Sequence, residues 1–284
     1  MKVTFLGTAA ANGFPEAFCK CQNCTHARLL GGPSLRKRSA ALINNDLLID
    51  LGPDIMSASQ IHGCPLNDVR YCLQTHPHAD HLDLSHLLSR SPTFGVVGAP
   101  VLEFYASRET TMRAAETFAR DLAGYSLLAP EAENTLNFKL CLVHPLEFFS
   151  VGPYSVMAFP ANHAPSLGAM LYSIATQEGT IFYGTDTGTL FDSTWEALRR
   201  HNMQFDLVIL DHTYGPEEPG SDHLSAHQVI EHANRLRAEG MLTARGRIFA
   251  THIAHEGNPP HPGLVSFAAQ HGYEVAYDGL AVMI

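Results

Sequence analysis

An α/β fold is the architecture this sequence predicts, and three observations predict it. Short β-type runs bounded by turn residues recur along the whole chain, with helical patterns between them. Hydrophobic residues make up 45% of the 284 positions and charged residues 16%, which suits a sizeable core and excludes bulk disorder. No repeat, low-complexity tract or flexible linker divides the chain, so one unit spanning 1–284 is expected rather than two domains meeting near residue 150.

Taken in order, the expected strands are Lys2–Leu6, Ala40–Ile43, Asp46–Asp50, Tyr71–Gln74, Lys139–Val143, Tyr154–Ala158, Leu171–Ala175, Thr180–Tyr183, Leu207–Asp211, Arg247–Thr251 and Glu274–Tyr277. Short helices are expected over Asp54–Gln60 and Asp83–Ser89. Thr110–Ala123 is a longer one, rich in alanine and charge, with Gly124 as its stop signal. Thr194–His201 follows, then Ser225–Ala238, capped by Ser225 and ended by Gly240. Val265–His271 closes the set before Gly272. Ala129–Asn137 is the most loop-like stretch and reads as an insertion at an edge.

Charge narrows the partners. Lysine and arginine total 18 against 28 acids, a formal charge of -10, so a surface built to hold a nucleic-acid backbone is not expected. No apolar run approaches the length needed to cross a bilayer, and Met1–Leu6 is too short for a signal peptide before Gly7 breaks it. The expectation is a soluble cytoplasmic protein without disulfides, in which a homodimer is compatible with the sequence. Seventeen histidines nearly match the 18 lysines and arginines. Imidazole titrates near neutrality and ligates cations, so that excess points towards metal chemistry.

The strongest motif is Thr75-His76-Pro77-His78-Ala79-Asp80-His81, delivered by the strand Tyr71–Gln74. Three histidines and an aspartate cannot all be buried there without partners. His76 and His78 alternate and can project together, while Asp80 and His81 can turn to a neighbouring ion. Isolated metal-capable residues recur at later strand ends: His163, Asp186 and His252. This succession resembles the five-part pattern of the metallo-β-lactamase-fold hydrolases, and Asp50 in Leu48-Ile49-Asp50-Leu51-Gly52 matches their first motif.

The resemblance spans essentially the whole chain and implies an αββα sandwich with two divalent ions, zinc or manganese, at the rim of its sheets. It implies His76, His78 and His163 on one ion, Asp80, His81 and His252 on the other, and Asp186 between them. Such a pair lowers the pKa of a bridging water and neutralises a developing oxyanion.

A second resemblance is narrower. Cys19, Cys21 and Cys24 crowd into six residues and need a fourth ligand for a closed tetrahedral zinc site. His255 is the first candidate, with His26 and His261 as rivals; Cys64, Cys72 and Cys141 show no partner spacing. Phe5-Leu6-Gly7-Thr8, Gly13-Phe14-Pro15, the cysteine knuckle at 19–24 and Arg38-Ser39 together resemble the PhnP-type phosphodiesterases of phosphonate metabolism. In that family three such cysteines and a histidine three residues beyond the last active-site ligand hold a structural zinc, as Cys19, Cys21, Cys24 and His255 would here. Ala9-Ala10-Ala11-Asn12 departs from the family's Thr/Ser-containing turn.

Ser221-Asp222-His223-Leu224-Ser225 precedes a helix, and His223 matches the histidine that faces the leaving group in related phosphodiesterases, with His227 as runner-up. Asp80 joins His223 as an expected catalytic group. Asp278 sits where relatives keep a supporting acid, and Arg36-Lys37-Arg38 offers positive charge for a phosphate. The implied activity is hydrolysis of a small phosphodiester, cyclic ones such as a ribose cyclic phosphate included. An RNA-processing nuclease and a non-catalytic PqqB-like protein of cofactor biosynthesis are the alternatives.

Overall fold

The computed structural model describes residues 1–121, 126–216 and 220–284. Two seven-stranded mixed sheets lie face to face. The first holds β1 (Lys2–Gly7), β2 (Ala40–Ile43), β3 (Leu47–Ile49), β4 (Tyr71–Leu73), β5 (Leu102–Ala106), β6 (Phe138–Leu142) and β14 (Ala281–Met283), in the order β14-β1-β2-β3-β4-β5-β6. The second holds β7 (Phe148–Val151), β8 (Tyr154–Pro160), β9 (Met170–Ala175), β10 (Thr180–Gly184), β11 (Phe205–Asp211), β12 (Leu242–Thr251) and β13 (Glu274–Val275), in the order β13-β12-β11-β10-β9-β8-β7.

Each sheet is antiparallel in one half and parallel in the other. Pairs from β3 to β6 and from β10 to β13 are parallel. Parallel neighbours need long crossovers, and helices supply them. They are α2 (Ile55–His62), α3 (Ser85–Ser89), α4 (Arg108–Asp121) and α5 (Ala132–Leu136) on the first sheet. On the second they are α6 (Asp192–Arg200), α7 (Ala226–Ala238) and α8 (His261–Gln270), joined by α1 (Gln22–Leu30).

Strand alternation sorts the apolar residues into three cores. Val3, Ile43 and Ile49 of the first sheet meet Ile181, Leu207 and Ile209 of the second between the sheets. Leu42, Leu48 and Phe104 face Ile55, Ala114 and Phe118 outside the first sheet. Val208, Leu210 and Ile248 face Leu198, Val229 and Leu264 outside the second. The result is the expected αββα sandwich; the shared middle core and the return of β14 to the first sheet leave no division into folding units near residue 150.

Every expected strand is present, within a few residues at either end. The sequence reading omitted β5, β7 and β14, as well as α1. Glu103 interrupts the apolar run of β5, and β7 is an edge strand whose Phe148 stands in solvent. Cysteine is an unusual helix start, yet the Cys21 side chain accepts from the Cys24 N–H and begins α1. Ala129–Asn137 is corrected: it contains α5, held because Ala132 and Leu136 are buried in the first sheet's outer core. Ser225 and Gln228 form a capping box on α7, and Gly240 follows at positive φ. Helix α8 starts earlier than expected because Pro262 fits its first turn. The expected stop of α4 at Gly124 lies outside the described residues.

Candidate metal centre

Strand ends deliver the polar groups to one rim. Asp50 follows β3, Thr75–His81 follows β4, His163 lies beyond β8, Asp186 follows β10, Asp211 ends β11, and His252 follows β12. Asp50, Asp186 and His252 adopt φ of 67°, 59° and 60°. Non-glycine residues in this left-handed region are strained, and such strain gathers where geometry is imposed by function.

Three imidazoles converge first. His76 Nε2 lies 2.9 Å from His78 Nδ1, and His163 Nε2 lies 3.2 Å from the same atom. Asp80, His81, Asp186 and His252 make a second group whose donor atoms all lie within 4.8 Å of one another. Asp186 stands between the groups. Its Oδ2 is 2.7 Å from His81 Nε2, 3.3 Å from His252 Nε2 and 3.4 Å from His76 Nε2, while Oδ1 is 3.4 Å from His163 Nε2.

The remaining ring nitrogens are fixed from behind. Thr75 Oγ1 gives its proton to Asp50 and therefore accepts from His76 Nδ1–H at 3.0 Å. Thr213 Oγ1 likewise donates to Asp211 and accepts from His252 Nδ1–H at 2.8 Å. His81 Nδ1–H donates to Asp50 Oδ2 at 2.7 Å, and His163 Nδ1–H to the Asp222 carbonyl at 3.3 Å. With Nδ1 engaged as the donor, Nε2 is the nitrogen that each of these four imidazoles can offer to a metal at the rim. His81 Nε2, His252 Nε2 and Asp186 Oδ1 are buried without a hydrogen-bond partner. Such atoms are costly to bury unless something charged meets them.

The protein's own charges show what the rim requires. Burial opposes an imidazolium at His81, but Asp80, Asp50 and Asp186 outweigh it and hold its pKa well above the usual value. Burial would raise the carboxyl of Asp186, yet His252, His76 and His81 hold it well below its usual range, and His81 lowers Asp80 likewise. Two clustered acids therefore demand positive charge, and divalent cations on this donor set meet the demand. The residues fit two such ions.

His223 completes the rim. Its Nδ1 lies 3.2 Å from both Asp186 Oδ1 and Asp211 Oδ2, and its ring stacks on His252 with centroids 5.3 Å apart. Burial disfavours its charge, but Asp211 and then Asp186 push the pKa up to about 9. His227 is exposed on the first turn of α7.

Cys19, Cys21, Cys24 and His255 form a separate cluster. His255 Nδ1 lies 3.7 Å from Cys19 Sγ and 3.6 Å from Cys21 Sγ. Although burial raises the Cys21 thiol, the Cys24 N–H and His255 bring its pKa down to about 7, so thiolate is accessible for zinc. Neither rival joins the thiols. His261 Nδ1 accepts from buried Arg36 at 2.9 Å, and His26 lies in a surface depression with Leu29 and Pro259.

The basic triplet is engaged by other partners. Arg36 is buried against Thr8 and the Ala276 carbonyl, Lys37 pairs with Asp278, and Arg38 binds Asp54 through two nitrogens at 2.8 Å. Asp278 supports the loop after β1, accepting from Thr8 Oγ1 at 2.8 Å and the Lys37 N–H at 2.7 Å, and touches no candidate ligand. Sequence reasoning missed Asp211, Thr213 and Gln74. Asp211 shared a signal with Asp50, a carboxylate closing an apolar strand. Gln74 gave none; its buried amide holds the metal loop through the His76 and His81 carbonyls.

A cleft of about 290 Å³ opens over the rim, lined by Ala10–Gly13, Thr213, Tyr214, His255 and Glu256 besides the rim residues themselves. A model of the β-lactamase superfamily domain matches residues 45–253, most of the chain and every rim residue. The chain belongs to the β-lactamase superfamily. Solved structures agree on the fold. A diphosphatase from the PhnP family aligns over 99% of this chain and 96% of its own, with 22% identity and a TM-score of 0.73. PqqB from Methylobacterium extorquens, described as Zn(2+)-bound, aligns over 100% of both chains at 18% identity and a TM-score of 0.69. Human tRNase Z, short form, aligns over 100% and 99% at 17% identity and a TM-score of 0.64. No curated protein sequence matches the chain. At these identities the neighbours speak for the fold alone. Among the described residues no helix is long and apolar enough to cross a membrane.

Proposed function

We propose that this chain is a metal-dependent hydrolase of small phosphodiesters, cyclic or linear. The observation that carries the reading is the seven-residue donor set together with the His223–Asp211 pair at 3.2 Å beside it. A structural neighbour from the PhnP family is a diphosphatase, which is a precedent for phosphoryl hydrolysis on this fold. A non-catalytic role of the PqqB kind is disfavoured because a protein needing only a structural zinc has no use for the paired-histidine loop.

His76, His78 and His163 would hold one cation, Asp80, His81 and His252 a second, with Asp186 shared; Cys19, Cys21, Cys24 and His255 would hold a structural zinc. When bound, zinc or manganese at the rim would polarise the phosphate and make a water nucleophilic at neutral pH. The chain's own residues do the rest. Asp50, Thr75 and Thr213 hold the ligand tautomers. Asp211 anchors His223 through Nδ1, which leaves Nε2 for the substrate. A protonated His223 can give that proton to a departing alkoxide, a form of catalysis worth roughly a hundred- to ten-thousand-fold.

The test compares two leaving groups. A nitrophenolate departs without help, whereas a sugar alkoxide does not. His223→Ala should slow an alkyl or ribose phosphodiester far more than an aryl one, with metal content unchanged. Equal losses on both substrates would reassign His223 to phosphate binding.

A further inference from the structure

The cleft over the metal centre is unusual in its charges. Every residue lining it falls in segments 3–19, 71–89, 140–198, 201–234 or 248–284, and none of those segments contains a lysine or arginine. Beyond the rim, its walls are the Ala10–Gly13 loop, Thr213, Tyr214, Ala254, His255 and Glu256. Glu256 is half exposed and turns Oε1 towards His255 Nε2 at 3.4 Å; among the described residues no hydrogen bond engages Oε2. Asn12 is exposed on the facing loop, and the Tyr214 ring stands edge-on to His223 with centroids 5.9 Å apart. Outside the cleft, Arg113 stands in a separate depression that also borders His78, 3.7 Å from Glu116, and Arg38 is held on Asp54.

Two cations on Asp80, Asp186 and the imidazoles suit one phosphate monoanion. A second phosphate would meet the Glu256 carboxylate, and with His223 held by Asp211 beside the metal donors the lining offers no lysine or arginine to receive it; like charges in a partly desolvated cleft repel. A carboxylate and an amide accept hydrogen bonds from hydroxyls, and an aromatic ring covers the apolar face of a sugar or base. Resting on the phosphodiester reading, we infer that the organic group on the phosphate bound at the metal centre is uncharged and hydroxyl-bearing, recognised by Glu256 and Asn12, and that a second phosphate on it is rejected.

Titration calorimetry of the zinc-loaded protein with thymidine 5′-monophosphate and thymidine 3′,5′-bisphosphate, at about 0.15 M salt, decides the matter. The monophosphate should bind about tenfold tighter or better. Glu256→Gln should shrink that preference, and Glu256→Lys should reverse it, with zinc content equal to the wild type's so that loss of the knuckle is excluded. Equal or tighter binding of the bisphosphate to the wild type overturns the inference, whatever the variants do. If that affinity then falls in Arg113→Ala, the depression beyond His78 takes the second phosphate instead. The p-nitrophenyl esters of the same two nucleotides separate this inference from the reading beneath it. Discrimination in binding without cleavage of either ester would remove the phosphodiesterase and leave the binding preference standing.

Discussion

Replacing Asp50 by asparagine should weaken one catalytic ion from a distance. Asp50 Oδ1 receives Gln74 Nε2 at 3.0 Å, the Thr75 N–H at 2.7 Å and Thr75 Oγ1 at 2.9 Å, while Oδ2 receives His81 Nδ1–H at 2.7 Å. Three donors converge on Oδ1, so the asparagine oxygen must sit there and its NH2 must face His81. Nδ1 then has to accept, and the ring proton moves to Nε2, the atom 2.7 Å from Asp186 and 3.1 Å from Asp80. A protonated Nε2 cannot ligate. Changes to such supporting groups cost roughly 10–100-fold in metal affinity, about 1.4–2.8 kcal/mol. Losing the Asp50 charge that helps to hold the buried His81 imidazolium should also cost the chelated protein roughly 1–3 kcal/mol. Competition against a chromogenic chelator measures the first effect, and urea unfolding of chelated protein the second. Both ion affinities within about twofold of wild type would refute the tautomer argument.

Asp186→Ala removes the carboxylate shared by both groups and should lower hydrolysis by orders of magnitude while circular dichroism stays unchanged; full activity at full metal occupancy would exclude its bridging role. Cys21→Ser should lose about one zinc per chain and lower the melting temperature, yet the protein that stays folded should still turn over. Abolished chemistry with unchanged stability would contradict a structural site. For the chelated protein, the urea midpoint should depend on pH at both ends. Asp80 and Asp186 are depressed below 3.8, so their stabilisation is present above that value and lost as acid titrates them. His81 is raised above 6.5, so its contribution is complete below that pH and lost as pH rises through its folded pKa. A midpoint unchanged between neutral pH and about pH 3 would contradict the acid side of this account.

The candidate ligands were legible in the sequence because one short loop compresses four of them. His76, His78, Asp80 and His81 lie within six residues, and His163, Asp186 and His252 each follow an apolar strand, a spacing that local chemistry alone makes conspicuous. The cysteine knuckle is readable for the same reason, since three thiols so close in sequence cannot fail to meet. Alternation of strand and helix likewise declares the layers, because side-chain period and turn residues are local properties. Distant choices were not legible. Only the packing of the two sheets selects His255 over His26 and His261, as the segment after β12 is the one laid against Cys19 and Cys21. Only the tertiary structure engages Arg36, Lys37 and Arg38 with other partners and brings Asp211 from the end of β11 to His223. A charge on a sequence carries no direction. Which carboxylate orients which imidazole, and which cation the cleft excludes, depend on where each strand ends in the folded sandwich.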